Sequence, residues 1–135
     1  MEAPLSWSVE TSADGPRILL VEDEVDMLEV ISETLADELG GVRIRAESQP
    51  LGAAALLERE DFDLLVVDLR MPLMNGFQLI ERARRLKPDL PTVVVTGYPS
   101  ADSAERARRL GVRAYLRKPF RPEELVAAVR EALAG

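Results

Sequence analysis

The sequence predicts an α/β fold: a doubly wound, five-stranded parallel sheet of order 2-1-3-4-5, with helices on both faces. Two observations predict it. After Pro16, apolar runs alternate five times with stretches of helical period, the pattern of consecutive βαβ units. The runs also differ in texture. Ile18-Leu19-Leu20-Val21, Leu64-Leu65-Val66-Val67 and Val93-Val94-Val95 are continuously apolar, as strands covered on both faces are, whereas the second and fifth runs alternate apolar with charged residues. That order, the flavodoxin-like winding, satisfies the placement of three interior and two edge strands with right-handed crossovers.

Each element has its own justification. Residues 1–15 are polar and aperiodic, hold the only tryptophan, Trp7, and read as a flexible leader or linker before a domain over 16–135. The first strand, near Arg17 to Val21, feeds a helix near Val25 to Leu39 whose Leu28, Ile31 and Leu35 form a buried stripe. Gly40-Gly41 stops it where a left-handed cap is wanted. The second strand, Val42 to Ala46, is placed at an edge by Arg43 and Arg45, and a helix near Leu51 to Glu60 follows. The third strand, Leu64 to Asp68, leads to a helix near Phe77 to Lys87 that Pro88 and Pro91 close before the fourth strand, Thr92 to Thr96. A helix near Ala101 to Leu110 ends at Gly111. The fifth strand, Ala114 to Leu116, sits in the alternating stretch Val112 to Arg117 and takes the other edge; a last helix spans Pro122 to Ala134.

Composition narrows the chemistry. With 135 residues, no cysteine and no histidine, the chain has no disulfide framework, no thiolate nucleophile and no imidazole base or ligand. Carboxylates, hydroxyls, lysine and arginine must carry any reaction. A net charge of −7 argues against nucleic-acid and anionic-membrane binding, and no secretion signal or bilayer-spanning run is evident, so a cytoplasmic location is expected.

In an open parallel sheet the ligand crevice lies beyond the carboxyl ends of the strands, where the order reverses. Glu22, Asp23 and Glu24 follow the first strand, Asp68 ends the third, Thr96 ends the fourth and Lys118 follows the fifth. Close carboxylates repel by about 4 kcal/mol per pair at an effective dielectric near 20, so a proton or a cation must share their site. Oxygen ligands alone point to a hard cation, Mg²⁺ or Mn²⁺. A single acid after a strand caps a helix as readily, and a lone Thr96 does the same; acids at both strand ends flanking the switch point favour the cation. Lys118 is one of only two lysines in an arginine-rich chain, and a compact ammonium suits a phosphoryl oxygen, although a solvated loop lysine is the plainer alternative. Together these residues describe a carboxylate nucleophile beside a hard-metal site, with a hydroxyl and an ammonium for the oxygens of a tetrahedral anion. Without histidine in the chain, the phosphoryl group must arrive from another molecule.

The segments Arg17-Ile-Leu-Leu-Val-Glu-Asp-Glu24, Asp63-Leu-Leu-Val-Val-Asp-Leu-Arg-Met-Pro-Leu-Met-Asn-Gly76, Val93-Val-Val-Thr-Gly97 and Ala114-Tyr-Leu-Arg-Lys-Pro-Phe120 resemble the receiver domain of bacterial two-component response regulators, the CheY-like superfamily. The resemblance covers residues 16–135. It implies that Asp68 is the phosphoacceptor, that Asp23 ligates the metal with help from Glu22, and that the backbone carbonyl of Arg70 completes the protein ligands. It further implies that Thr96 is the switch hydroxyl, Lys118 the phosphate-contacting lysine, Tyr115 the aromatic that changes rotamer as Thr96 moves, and Lys118-Pro119 a cis peptide. The implied partners are a histidine kinase or histidine phosphotransfer domain as donor, and a protein target or dimer mate at the fourth helix, fifth strand and fifth helix. No direct DNA binding is expected, and the domain is a self-phosphorylating acceptor rather than an enzyme.

Departures from the family pattern matter. Glu22 replaces the more frequent Asp. Arg70 and Tyr98, two residues after Asp68 and Thr96, are bulky at positions that tune dephosphorylation in the family. Arg121 stands where Ser or Asp often caps the last helix, so a weaker start is expected there. Met27, Val30 and Thr34 on the flank of the first helix are candidates for docking the donor. The arginines Arg106, Arg108, Arg109, Arg113, Arg117 and Arg121 read as a solvated or partner-facing surface. Two forms share this chemistry: the initial Met fits a stand-alone regulator, and the linker-like leader and the end at the fifth helix fit a receiver excised from a hybrid histidine kinase. Other readings are a Mg²⁺-dependent phosphatase with an aspartyl intermediate, which wants an acid where Arg70 stands, a dinucleotide-binding module, which lacks its glycine-rich turn, and a receiver-like scaffold that is never phosphorylated.

Overall fold

The structure, a computed structural model, describes residues 6–135. Its elements run β1 (Ser6–Glu10), β2 (Arg17–Val21), α1 (Val25–Glu38), β3 (Arg43–Glu47), α2 (Pro50–Arg59), β4 (Leu64–Asp68), α3 (Gly76–Leu86), β5 (Thr92–Thr96), α4 (Ala101–Arg109), β6 (Ala114–Arg117) and α5 (Pro122–Ala134). The sheet order is β1-β3-β2-β4-β5-β6. Strands β2 to β6 are mutually parallel and wound as expected.

Among the described residues the sheet has six strands rather than five. Ser6–Glu10, within the stretch read as a leader, pairs antiparallel with β3 over five residues, from Ser6 opposite Glu47 to Glu10 opposite Arg43. Residues 1–5 of that leader lie outside the described residues. Trp7 and Val9 alternate with exposed Ser6, Ser8 and Glu10 and pack against the core layer of α1 and α5. Two apolar residues in a polar stretch are a faint period-2 signal, and pairing with β3 completes what local sequence leaves weak. The return is tied down as well: the Thr11 N–H donates to the Val42 carbonyl at 2.8 Å, and the Val42 N–H donates to Thr11 Oγ1 at 2.9 Å.

The second expected strand is therefore not an edge. Its charged residues have partners within the fold: Arg45 reaches Glu60 at 3.2 Å, and the Arg43 Nε donates to the Gly15 carbonyl at 2.8 Å. Guanidinium groups snorkelling to acceptors at the sheet's rim produce the same alternation as an exposed edge. At the other side β6 is the outer strand among the described residues, half-buried along most of its length.

Two apolar layers sandwich the sheet. Ile18, Leu20, Val66 and Val95 face α1 and α5, and Leu19, Val21, Val67 and Val94 face α2, α3 and α4. This is why β2, β4 and β5 read as unbroken apolar runs. Gly40 and Gly111 have φ of +86° and +74°, the left-handed turns that end α1 and α4. Asn75 caps α3 reciprocally with Gln78 at 2.9 Å in both directions. At α5 the Glu124 carboxylate accepts from the Arg121 backbone N–H at 3.3 Å and from its Nε at 3.1 Å, so the cap is supplied by the third helical residue instead of by the side chain of the residue before the helix. Among the described residues no helix is long and apolar enough to cross a membrane.

Candidate functional site

Three parallel strands deliver acids and a hydroxyl to one rim of the sheet. β2 ends at Val21, so Glu22 and Asp23 emerge beside Asp68, the last residue of β4, and Thr96, the last residue of β5. Carboxylate oxygens of Glu22, Asp23 and Asp68 all lie within 4.8 Å of one another. Glu22 is fully buried, Asp68 is 4 % exposed and Asp23 is half-buried. Asp23 and Asp68 border an open cleft of about 750 Å³ that Thr96, Lys118, Arg70 and Tyr98 also line, with Glu22 buried behind them.

Lys118 comes from beyond β6 and reaches back over this rim. Its Nζ pairs with Glu22 Oε1 and stands 3.5 Å from Asp68 Oδ2 and 3.9 Å from Glu24 Oε1. The backbone brings it there: the Lys118 N–H donates to the Thr96 carbonyl at 2.8 Å, and the Lys118-Pro119 peptide is cis. Burial alone lowers the ammonium's pKa, but the hydrogen bond to Glu22 and the charges of Glu22, Asp68 and Glu24 outweigh it and raise the value. Burial, with the hydrogen bond and charge of nearby Asp68, pushes Glu22 up to about 8 despite Lys118. Burial thus disfavours the full negative charge of the cluster, a cost that a bound cation would relieve.

Thr96 is fully buried, and its hydroxyl accepts the Tyr98 N–H at 3.0 Å, leaving the O–H proton for another acceptor. The Asp68 carboxylate accepts the Arg70 N–H at 3.3 Å. Arg70 and Tyr98 are exposed and stacked on each other at the mouth of the cleft. Tyr115 is half-buried against the α2–α3 layer, its phenol turned toward the start of α4.

These positions, four strand ends around one acidic cleft in a doubly wound sheet, agree with a family model, that of the response regulator receiver domain, which matches residues 18–130. The chain belongs to that family. Receiver domains are signalling domains that take a phosphoryl group from histidine kinases, and they generally bind Mg²⁺ at an acidic pocket. This receiver domain is 40 % identical over 118 residues to response regulator protein FleR of Pseudomonas aeruginosa, covering 87 % of this chain and 24 % of FleR. It is 37 % identical over 123 residues to the alginate biosynthesis transcriptional regulatory protein AlgB of the same species, covering 91 % of this chain and 27 % of AlgB. The chain thus spans about a quarter of these relatives. Among solved structures, the CheY-like receiver domain protein of Methanospirillum hungatei superposes with a TM-score of 0.81 at 31 % identity, covering 90 % of this chain and 95 % of that one. The non-phosphorylated HemR receiver domain of Leptospira biflexa gives 0.82 at 32 % identity, covering 89 % and 95 %.

The residues here fit the ion such domains bind: three carboxylates in one cluster, oxygen donors only, and a lysine beside them rather than among them. Glu24, one of the acids after the first strand, faces Lys118 rather than joining the three-carboxylate cluster. Sequence reasoning gave no role to two residues the structure brings to the site: Ser103 lines the cleft from α4, and Gly76 packs against the backbone of Asp68. Gly76 left a trace in the sequence, as the last residue of the Asp63–Gly76 segment. The six arginines are largely spent on local pairs, among them Arg106 with Glu81 at 2.6 Å and Arg108 with Glu105 at 2.6 Å.

Proposed function

We propose that this receiver domain is a Mg²⁺-dependent phosphoacceptor switch in which Asp68 is the acceptor. The observation that carries the reading is the placement of Lys118 Nζ 3.5 Å from an Asp68 oxygen whose carboxylate also shares a 4.8 Å cluster with Glu22 and Asp23. Glu22, Asp23, Asp68 and the Arg70 carbonyl would hold Mg²⁺, or Mn²⁺. Bound there, the cation supplies positive charge to the transferring phosphoryl oxygens. An Asp68 oxygen attacks phosphorus, the P–N bond to the donor imidazole breaks, and the imidazole leaves with the electron pair and takes up a proton. Lys118 balances the charge that collects on the phosphoryl oxygens, and the free O–H of Thr96 donates to one of them.

The donor is a histidine kinase or histidine phosphotransfer domain. An apolar groove lined by Met27, Val30, Thr34, Pro119 and Phe120 supports its docking beside the cleft, with Val30 56 % exposed. Movement of Thr96 and Tyr115 then alters α4, β6 and α5, the surface that meets a protein target or a second copy. The net charge of −7 supports output by protein contact rather than by DNA binding. Arg70 and Tyr98 set how long the acyl phosphate lasts.

The test is incubation with Mg²⁺ and acetyl phosphate, followed by intact mass. One phosphoryl adduct is expected on the wild type and none on Asp68→Asn. An adduct on both proteins refutes the assignment to Asp68, and none on either favours an unphosphorylated scaffold.

A further inference from the structure

Ser103 stands in the first turn of α4 and lines the same cleft as Asp68 and Thr96. Its Oγ lies 2.5 Å from the Tyr115 hydroxyl, and the Ser100 N–H approaches that hydroxyl at 3.4 Å. The same two serines cap the helix: the Ser103 N–H donates to Ser100 Oγ at 3.0 Å. The start of α4 and the phenol of Tyr115 are thus joined in one small hydroxyl network.

Among the described residues, little apolar burial holds that end of the helix. Ala107 is the one fully buried residue of α4, and Arg106, stacked 4.5 Å over the Phe77 ring, tethers its middle rather than its start. Apolar packing resists displacement over its whole area, whereas a hydrogen bond is given up in one step. Thr96 is connected to this network through only residues 97–100, and its carbonyl is bonded to Lys118 on the β6 side. A shift of Thr96 toward Asp68 pulls on the start of α4 while β6, which carries Tyr115, stays in register.

Resting on the reading that Thr96 moves to a phosphoryl group at Asp68, we infer that Ser103 is a positioning residue of phosphoryl capture. Its hydroxyl fastens Tyr115 to the first turn of α4, and that bond is surrendered when Thr96 moves. The fastening holds down the affinity of the site for a phosphoryl group, so loosening it makes capture easier.

The full chain is tested in two ways. Calorimetric titration with beryllofluoride in Mg²⁺ is expected to give Ser103→Ala and Tyr115→Phe each a Kd about three- to tenfold tighter than wild type, the scale of one neutral hydrogen bond. The double variant is no tighter than either single one, because both remove the same bond. Ser103→Thr keeps the hydroxyl and returns to within about twofold of wild type. Separately, amide hydrogen exchange without ligand is expected to be about three- to tenfold faster in the first turn of α4 for Tyr115→Phe, with the rest of the chain unchanged. Unchanged or weaker binding by Ser103→Ala, additive effects in the double variant, or unaltered exchange at α4 overturns the inference. Beryllofluoride binding that Asp68→Asn does not abolish instead refutes the acceptor reading, while exchange still decides whether Tyr115 fastens α4.

Discussion

The guanidinium carbon of Arg70 lies 3.9 Å from the centroid of the Tyr98 ring, so the residue two beyond Asp68 is stacked on the residue two beyond Thr96. The pair spans the mouth of the cleft. A cation over an exposed tyrosine is worth about 0.5–1 kcal/mol, enough to keep both side chains over the opening for most of the time. The stack covers part of the route by which water would reach an acyl phosphate on Asp68. Replacing both with alanine is expected to speed loss of the phosphoryl group by about tenfold, a barrier change of about 1.4 kcal/mol. Tyr98→Ala alone gives most of the effect, since Arg70 then loses its platform. A time course of intact mass after donor removal measures it, and an unchanged decay would show that the stack does not shield the bond.

The three carboxylates make a second expectation quantitative. In EDTA, Asp23→Asn removes one charge from a mutually repelling set, so its thermal stability is expected to equal or exceed that of wild type. In Mg²⁺ the order reverses. A ligand at ten times its dissociation constant stabilises the wild type by about 1.4 kcal/mol, and Asp23→Asn is expected to gain little of this. Thermal melts of both proteins with and without Mg²⁺ decide it. An equal Mg²⁺ shift in the two proteins would exclude Asp23 as a ligand.

How much of this was legible follows from where each signal resides. β2, β4 and β5 could be read because burial on both faces demands continuous apolar residues, and the winding followed from which strands lacked them. The gathering of Glu22, Asp23, Asp68, Thr96 and Lys118 at one rim was legible for a topological reason: parallel strands bring their carboxyl ends together. Contacts between elements were not. Ser103 on Tyr115 and Arg70 on Tyr98 join residues 12 and 28 apart, and no local pattern announces them. β1 was missed because its partner lies far along the chain and Ser6, Ser8 and Glu10 mask its alternation.

That missed strand gives a third expectation. Trp7 is the only tryptophan and is half-buried against the core. Its emission is expected to be blue-shifted in the folded protein and to move to the red in one step with global unfolding. Trp7→Ala is expected to cost about 1–2 kcal/mol, the value of a partly buried aromatic. Urea melts followed by circular dichroism check the loss, and a change below a few tenths of a kcal/mol would mean that β1 contributes nothing to the domain.

A pH-dependent contribution lies at the opposite end of the sheet. The Lys87 ammonium, by hydrogen bond and charge, holds the exposed Asp61 carboxyl below its ordinary value of 3.8. A depressed folded-state pKa stabilises the protein above the unfolded value, and the contribution disappears as pH falls through the folded one. Asp61→Asn is therefore expected to melt below wild type at pH 7. The gap closes as the pH drops below 3.8. Melting temperatures across that range test the sign, and a gap that widens in acid would contradict it.

Gly76 links stability to the site itself. A Cβ there would lie 2.5 Å from the Asp68 carbonyl oxygen and 2.8 Å from the Leu69 Cα, both backbone atoms that no rotamer change can move. The approach is enforced by the Gly76 N–H, which donates to the Leu69 carbonyl at 2.9 Å and draws the start of α3 against the end of β4. Gly76→Ala is expected to destabilise the domain by about 1–3 kcal/mol, the cost of forced overpacking, and to slow phosphorylation by acetyl phosphate because Asp68 is pushed out of place. Gly97→Ala is the contrast. Its added Cβ would meet only the Lys118 Cδ, at 3.8 Å, an ordinary contact, and a stability change within about 0.5 kcal/mol is expected. Urea melts of the two variants separate the explanations: equal losses would point to a general intolerance of side chains in the loops around the cleft, whereas a loss confined to Gly76→Ala places the constraint on the backbone that carries Asp68.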